Sequence, residues 1–169
     1  MSAASVLDAM TESEAREALT RCCGASRWVA GMLSRRPFGD DDALERAADE
    51  AWATATPDDV REALSHHPEI GADLDELRKR FASTATWSSG EQSGVSTASD
   101  ETLRALRDGN RRYRERYGYT FVVCATGKSA DEMLALLRER EHNAPEHELS
   151  VAAVEQGKIT KIRLRKLSP

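Results

Sequence analysis

Residues 41–55 read DDALERAADEAWATA, and apolar side chains recur along them at the spacing of one helix face. The acidic start, Asp41-Asp42, favours the positive end of a helix dipole. A stripe of this kind buries one face of a helix and leaves the other in water. The apolar positions are Leu44, Ala47, Ala48, Ala51, Trp52 and Ala55. This stretch therefore predicts an amphipathic helix, and the stripes on both sides of it predict an all-α fold.

The other predicted helices follow from the same spacing and from their start and stop signals. They run from Thr11 to Cys22, from a cap at Ser26 to Pro37, from Thr56 toward His67, through Leu74, Leu77 and Phe81, from a cap at Asp100 to Gly118, from Ser129 to Arg140, and onward from near Pro145. Residues 120–125, TFVVCA, are apolar and β-branched, but no partner strand is apparent elsewhere. We expect a buried extended connector there. The prediction is about eight helices in a single compact domain over residues 1–169, with no sheet.

Length and charge limit the classes of function. A chain of 169 residues fits one domain with a real core. The net charge of -5 gives no basic field for nucleic acid or anionic lipid, so neither partner is expected. No run approaches the roughly 18 apolar residues of a membrane helix. Residues 1–11 lack the pattern of a secretory signal, and three cysteines do not form a disulfide framework, so we expect a cytoplasmic protein with reduced thiols.

His67 is the first candidate for chemistry. Val60, Ala63, Leu64 and His67 fall at offsets of zero, three, four and seven, so the histidine lies on the inward helix face. Pro68 forces the residue before it out of helical geometry, which places His67 at the helix exit. A side chain at such a position is held by the helix and remains accessible to a substrate. A histidine on an apolar face can equally be a hydrogen-bonded core residue.

Two further polar placements stand out. Glu91-Gln92 follow a loop rich in serine and glycine, where Glu91 could also be a first-turn acid of a helix. Arg163 lies four residues from both Ile159 and Leu167 and shares their side of the last helix, so it needs a buried partner. A structural ion pair would explain it as well.

Cofactor and metal sites are not expected. The chain has no phosphate-binding glycine loop, nucleophile elbow or dinucleotide fingerprint. His66-His67 with Glu69 could suggest a metal site, but no second His or Cys pair stands at ligand spacing. The arginine-rich helix from Arg104 to Arg116 contains intervening acids, which indicates a solvated face.

Seven motifs in order resemble one family. They are Cys23-Gly24-Ala25-Ser26-Arg27-Trp28, Arg36-Pro37-Phe38, His67-Pro68-Glu69-Ile70-Gly71, Glu91-Gln92-Ser93-Gly94, Asn110-Arg111-Arg112-Tyr113, Tyr117-Gly118-Tyr119-Thr120-Phe121 and Lys158-Ile159-Thr160-Lys161-Ile162-Arg163-Leu164. The family is 2-oxo-4-hydroxy-4-carboxy-5-ureidoimidazoline (OHCU) decarboxylase of urate degradation. The resemblance extends from about Ala18 to Leu167.

The resemblance implies an all-helical, cofactor-independent enzyme, usually a homodimer, that forms (S)-allantoin and carbon dioxide. By position it implies that His67 and Glu91 are catalytic. It further implies that substrate is bound by Arg163, Ser88, Gln92, Pro68 and the backbone around Val123. Two departures stand out: the His-Pro motif has the shorter form ending in Ile70-Gly71, and Gln156-Gly157 interrupts the last helix.

Two other classes of function remain open. One is a helical binding module that has kept the shape but not the reaction, or an enzyme that acts on a related ureide. The other is a nucleic-acid-binding module, which would require salt-dependent retention on DNA.

Overall fold

The structure, a computed structural model, describes residues 1–68, 73–79, 81 and 99–169. Eight helices have defined bounds: α1 Ala3–Ala9, α2 Glu12–Cys22, α3 Ser26–Ser34, α4 Asp41–Ala53, α5 Pro57–Ser65, α6 Ser99–Tyr117, α7 Ala130–Arg140 and α8 Pro145–Arg165. Residues 74–79 are also helical. No strand occurs within these described ranges, and the predicted all-α class is confirmed. None of the helices described is long and apolar enough to cross a membrane.

The chain divides into two compact units. The first contains Met1–His67 and Leu149–Pro169, and the second contains Pro68–Glu148. The boundary falls within α8, so that the two ends of this helix belong to different units. The organisation of residues 1–169 as one functional domain stays a prediction.

The first unit is built on helices with well-defined starts. Thr11 and Thr56 each form a capping box, with Glu14 and Asp59 respectively, so that first-turn N–H groups and the cap backbone are both satisfied. Asp40 caps α4. Helix α3 packs against α2, α4 and α5. The side chains that fill this core are mostly small or aliphatic, and include Leu7, Leu19, Trp28, Met32, Leu44 and Leu164.

Helix α1 was not among the predicted helices. It has seven residues, too few for a stable helix in isolation, so contacts elsewhere in the unit must hold it. The backbone N–H of Ala4 donates to Asp41 Oδ1 at 2.8 Å. The carboxylate of Asp8 accepts from the N–H groups of Phe38 and Gly39, at 2.9 Å each.

The second unit centres on α6 and α7, which pack closely. A Cβ built on Gly109 would come within 2.6 Å of Leu137 Cδ2, so a larger residue at position 109 would have to displace the Leu137 side chain. After α6, no strand forms over residues 120–125, and the predicted connector is buried at residues 120–123 but only partly buried at Cys124 and Ala125.

The buried face of α8 differs from the predicted one. Ile159 and Ile162 are only partly buried, whereas Gln156 and Thr160 are fully buried between Ala152 and Leu164. Five residues at intervals of three or four form this face: Leu149, Ala152, Gln156, Thr160 and Leu164. The apolar spacing predicts an inward face of Leu149, Ala152, Ala153, Ile159, Ile162 and Leu167, of which only Leu149 and Ala152 are fully buried. The prediction was wrong at Ile159 and Ile162 because hydrogen bonds within the unit satisfy Gln156 and Thr160, so that these polar side chains occupy buried positions.

Candidate active site

His67 lies just beyond the end of α5, where the chain leaves the helix. Its backbone N–H donates to the Leu64 carbonyl at 3.2 Å, and its side chain is partly buried. Burial is the main cause that lowers the pKa of His67 below its ordinary 6.5. The charge of Arg163 and the neighbouring His66 lower this pKa further, while a hydrogen bond to Gln156 opposes the shift. These effects together favour the neutral form of the His67 ring.

Gln156 is the direct hydrogen-bond partner of the His67 ring. His67 Nε2 bonds to Gln156 Oε1, and Gln156 Nε2 donates to Thr160 Oγ1 at 3.0 Å. Thr160 Oγ1 lies 2.9 Å from the carbonyl of Gln156 and 3.5 Å from that of Cys22. A chain of hydrogen bonds thus runs from the imidazole along α8 to the end of α2.

Arg163 is anchored at the same end of α2. Its Nη1 donates to the carbonyls of Arg21 at 3.3 Å and Cys22 at 3.5 Å. The last carbonyls of a helix lack partners within the helix and carry the negative end of its dipole, so a guanidinium is stable there. The sequence predicts a partner for Arg163 on its side of the helix, and these two carbonyls are hydrogen-bond partners of that kind. The carbonyl of Cys22 lies 3.5 Å from both Thr160 Oγ1 and Arg163 Nη1, so the residues that contact the histidine and the arginine meet at one carbonyl.

The thiols beside this network are not nucleophiles at neutral pH. Burial raises the pKa of Cys22 and of Cys23 to about 11, although Arg163 acts in the opposite direction on both. Both cysteines are buried and free in the structure, and their reduced state stays a prediction.

His66 also has a packing role in this region. A Cβ on Gly24 would come within 2.3 Å of the His66 ring, far below a contact distance. Gly24 therefore lets the His66 ring lie against the turn that joins α2 and α3.

In the second unit, the connector that contains Val123 is held by a buried ionic cluster. Arg140 Nη1 donates to the Val122 carbonyl at 2.7 Å, and its guanidinium lies 4.5 Å from the centre of the Phe121 ring. Arg140 Nε donates to Glu148 Oε1 at 2.7 Å. Tyr113 Oη donates to the same oxygen at 2.5 Å. Val123 itself is 8% exposed.

The structure describes some of the predicted site residues, and others lie outside the described residues. His67 and Arg163 belong to the first unit and share its hydrogen-bond network, while Val123 belongs to the second. Pro68 is exposed. Three predicted residues, Ser88, Glu91 and Gln92, lie outside the described residues.

Gln156 and Thr160 were not recognised as site residues from the sequence. The sequence predicts an interruption of the last helix at Gln156-Gly157, yet α8 continues from Pro145 to Arg165. The available signal was spacing: Gln156, Thr160 and Arg163 are four and three residues apart, which puts them on one helix side.

Over the ranges that the structure describes, no group of three His, Cys, Asp or Glu side chains could hold a metal ion.

The family model for OHCU decarboxylase matches residues 8–165, which is nearly the whole chain. The chain belongs to the OHCU decarboxylase family. This confirms the resemblance stated from the sequence motifs.

Individual relatives agree with this assignment. The chain is 31% identical over 140 residues to the 2-oxo-4-hydroxy-4-carboxy-5-ureidoimidazoline decarboxylase of Haloferax volcanii, covering 82% of this chain and 80% of that protein. It is 35% identical over 147 residues to the uric acid degradation bifunctional protein TTL of Arabidopsis thaliana, covering 86% of this chain but only 45% of that protein. The chain thus spans under half of the bifunctional relative.

A solved structure supports the fold of the family. The crystal structure of an OHCU decarboxylase in the presence of (S)-allantoin superimposes with a TM-score of 0.68 at 32% identity. The match covers 88% of this chain and 94% of that one.

Proposed function

We propose that this chain is a decarboxylase that converts OHCU to (S)-allantoin and carbon dioxide in urate degradation. Family membership supports the reaction. The observation that supports it most within the molecule is the network at the end of α2. There a neutral, partly buried His67 lies close enough to Arg163 for the guanidinium to lower its pKa. A proton-transfer group beside a fixed cation suits an anionic substrate.

The substrate itself supplies the electron sink for the reaction. The carbon that carries the hydroxyl and the carboxylate adjoins a ring C=N bond. When the C–C bond to the carboxylate breaks, its electron pair forms a ring C=C bond, and the C=N π pair moves to nitrogen, which takes a proton. The resulting enol then loses its hydroxyl proton and gains a proton on the adjacent carbon. The products are carbon dioxide and allantoin.

The protein therefore needs to position the substrate and to move protons on one face of it. We assign the proton transfers to His67 and Glu91. Arg163 has five N–H donors, and those beyond the ones held by the α2 carbonyls are suited to a substrate carboxylate or urea oxygen. Ser88 and Gln92 fix the ureido and ring amides, Pro68 shapes the pocket, and the backbone around Val123 contacts the substrate.

The wider organisation belongs to the same proposal. No cofactor is required because the substrate accepts the electrons itself. The free, buried Cys22 and Cys23 suit the reducing cytoplasm. The matched range of residues 8–165 includes both compact units, which supports one functional domain. The family resemblance favours a homodimer, which light scattering on the purified chain would test.

Substitution of the two proposed proton-transfer residues tests the assignment. His67→Ala and Glu91→Ala should give folded proteins that no longer accelerate conversion of freshly made OHCU to optically active allantoin. His142→Ala is the matched control, since His142 is 81% exposed and should retain full activity. Near wild-type rates in either of the first two variants would exclude that residue from catalysis.

A binding module without catalysis is the alternative function. It would show no OHCU turnover, and a bare protein-binding module would not be stabilised by allantoin in a thermal-shift assay. An enzyme on a related ureide would instead be stabilised by that ureide and turn it over.

A further inference from the structure

We infer that Gln156 is a positioning residue that holds neutral His67 as the tautomer protonated at Nε2, which leaves Nδ1 as the proton-accepting nitrogen. The inference rests on the proposed catalytic role of His67. It assigns His67 as the base in that reaction and Gln156 as the residue that selects its tautomer.

The argument begins at the Thr160 hydroxyl, which has a single proton. Its oxygen lies 2.9 Å from the carbonyl of Gln156 and 3.5 Å from the carbonyl of Cys22, and a carbonyl can only accept a hydrogen bond. The proton of Thr160 is therefore directed to the backbone. Toward the side chain of Gln156, the hydroxyl oxygen must accept.

The direction of the Thr160 hydroxyl determines the orientation of the Gln156 amide. The amide atom 3.0 Å from Thr160 Oγ1 must be the nitrogen, because only the nitrogen donates. The amide oxygen then faces His67 Nε2. An amide oxygen has no proton to give, so the hydrogen bond forms only if Nε2 carries the proton. In neutral imidazole the other nitrogen, Nδ1, then keeps its lone pair.

The surroundings of the relay keep this arrangement in place. Gln156 is fully buried and Thr160 is 4% exposed, so water does not compete easily for these bonds. The thiol of Cys23 also lies beside Thr160, but its raised pKa keeps it protonated, and a thiol is a weak partner compared with a carbonyl.

The arrangement assigns a direction of proton transfer. Arg163 from α8 and the adjacent His66 are the charged and titratable groups that act on His67, and both disfavour its protonated form. A neutral imidazole with a free Nδ1 lone pair is ready to take the hydroxyl proton of the enol. His67 is then the base that takes this proton.

The wild-type protein alone provides the first test. Long-range 1H–15N spectra of the histidine rings distinguish protonated from unprotonated nitrogens, with the His67→Ala spectrum used to assign the signals. Above pH 7 we expect Nε2 of His67 to be protonated and Nδ1 to be unprotonated. A proton on Nδ1 would overturn the inference. This readout needs no substrate, so it is independent of whether the chain decarboxylates OHCU.

Two substitutions at position 156 separate positioning from simple packing. Gln156→Met fills the space without an acceptor, so we expect mixed tautomers and a kcat lower by roughly tenfold to a hundredfold, with KM little changed. Gln156→Glu keeps the acceptor and adds a negative charge. It should preserve the tautomer, restore much of the kcat lost in Gln156→Met, and move the acid limb of the kcat profile to higher pH.

Thr160→Val and Val154→Met complete the set. Thr160→Val frees the amide to rotate and should mix the tautomers even if Gln156→Met fails to fold. Val154→Met is the control, because Val154 is on the same helix and 60% exposed, and it should match the wild type. If Gln156→Met and Thr160→Val change only the melting temperature, with tautomer and pH profile unchanged, the role of Gln156 is packing and the inference is wrong.

Discussion

Removal of the Glu148 carboxylate should strongly destabilise the second unit. Glu148 is 0% exposed, and its carboxylate accepts from Arg140 Nε at 2.7 Å, Tyr113 Oη at 2.5 Å and Asn143 Nδ2 at 3.0 Å. Burial and the bond to Glu148 raise the pKa of Tyr113 well above its usual range, so this hydroxyl stays protonated as a donor. Glu148→Leu would leave three donors without their acceptor, one of them on a buried guanidinium.

The size of the effect follows from the buried pair. Loss of one partner of a buried ion pair costs about 3–5 kcal/mol, because the remaining charge is uncompensated. For a chain of this length each kcal/mol lowers the melting temperature by about 2–4 °C. Glu148→Leu should therefore melt about 6–20 °C below the wild type. The connector held by Arg140 should loosen as well, since Arg140 also bonds the Val122 carbonyl.

The assay is urea unfolding followed by circular dichroism, with two further variants. Glu146→Leu is the matched control, because Glu146 is an exposed acid in the same first turn, and its free energy of unfolding should stay within about 0.5 kcal/mol. Arg140→Met in the Glu148→Leu background removes the orphaned charge and should recover part of the loss. A loss below about 1 kcal/mol in Glu148→Leu, or further destabilisation by the second substitution, would refute this account of the cluster.

Three further predictions concern the first unit. Because the pKa of His67 is lowered, the folded state binds fewer protons than the unfolded one near pH 6.5. The stability associated with His67 is thus complete above that pH and lost as the pH falls through the folded pKa. Urea midpoints between about pH 7 and pH 5 should therefore fall less in His67→Gln than in the wild type, and an equal fall would contradict the lowered pKa. Arg163→Lys keeps the charge but not the forked donors, so its kcat/KM for OHCU should fall by roughly tenfold or more, and unchanged kinetics would exclude a specific guanidinium role. Gly24→Ala should cost about 1–3 kcal/mol in urea unfolding because its Cβ overlaps the His66 ring, and a neutral effect would show that the ring moves freely.

Most of the helical fold could be predicted from the sequence because local signals determine it. Thr56 and Ser129 are caps in the structure as the sequence indicated. Ser26 and Asp100, which were also predicted as caps, lie instead inside the first turns of α3 and α6. The stripe from Leu44 to Ala51 is buried in α4. The connector at residues 120–125 was correctly distinguished from a strand, because an isolated apolar segment has no strand partner.

The elements that were missed depend on contacts between distant residues. Helix α1 is too short to be stable alone, and its bonds to Asp41 and to the Phe38 backbone are not visible in a local pattern. The inward face of α8 was misplaced because periodicity ranks Ile159 above Gln156. Burial of Gln156 depends instead on His67, which is 89 residues away in the chain.

The candidate site could be predicted only in part. His67 was found from helix phase and Pro68, and Arg163 from its position among apolar residues. Their connection through Thr160 and the carbonyl of Cys22 requires the packing of α8 against the end of α2. The roles of Glu91, Ser88 and Gln92 remain predictions from the family resemblance.

The most direct test of the central claim is the optical activity of the product. Urate would be oxidised and hydrolysed in situ to OHCU, and circular dichroism would follow the allantoin that forms with and without this protein. The account predicts a faster reaction and the signal of (S)-allantoin when the wild type is present, and loss of both with His67→Ala. A racemic product formed at the uncatalysed rate in the presence of the wild type would contradict it.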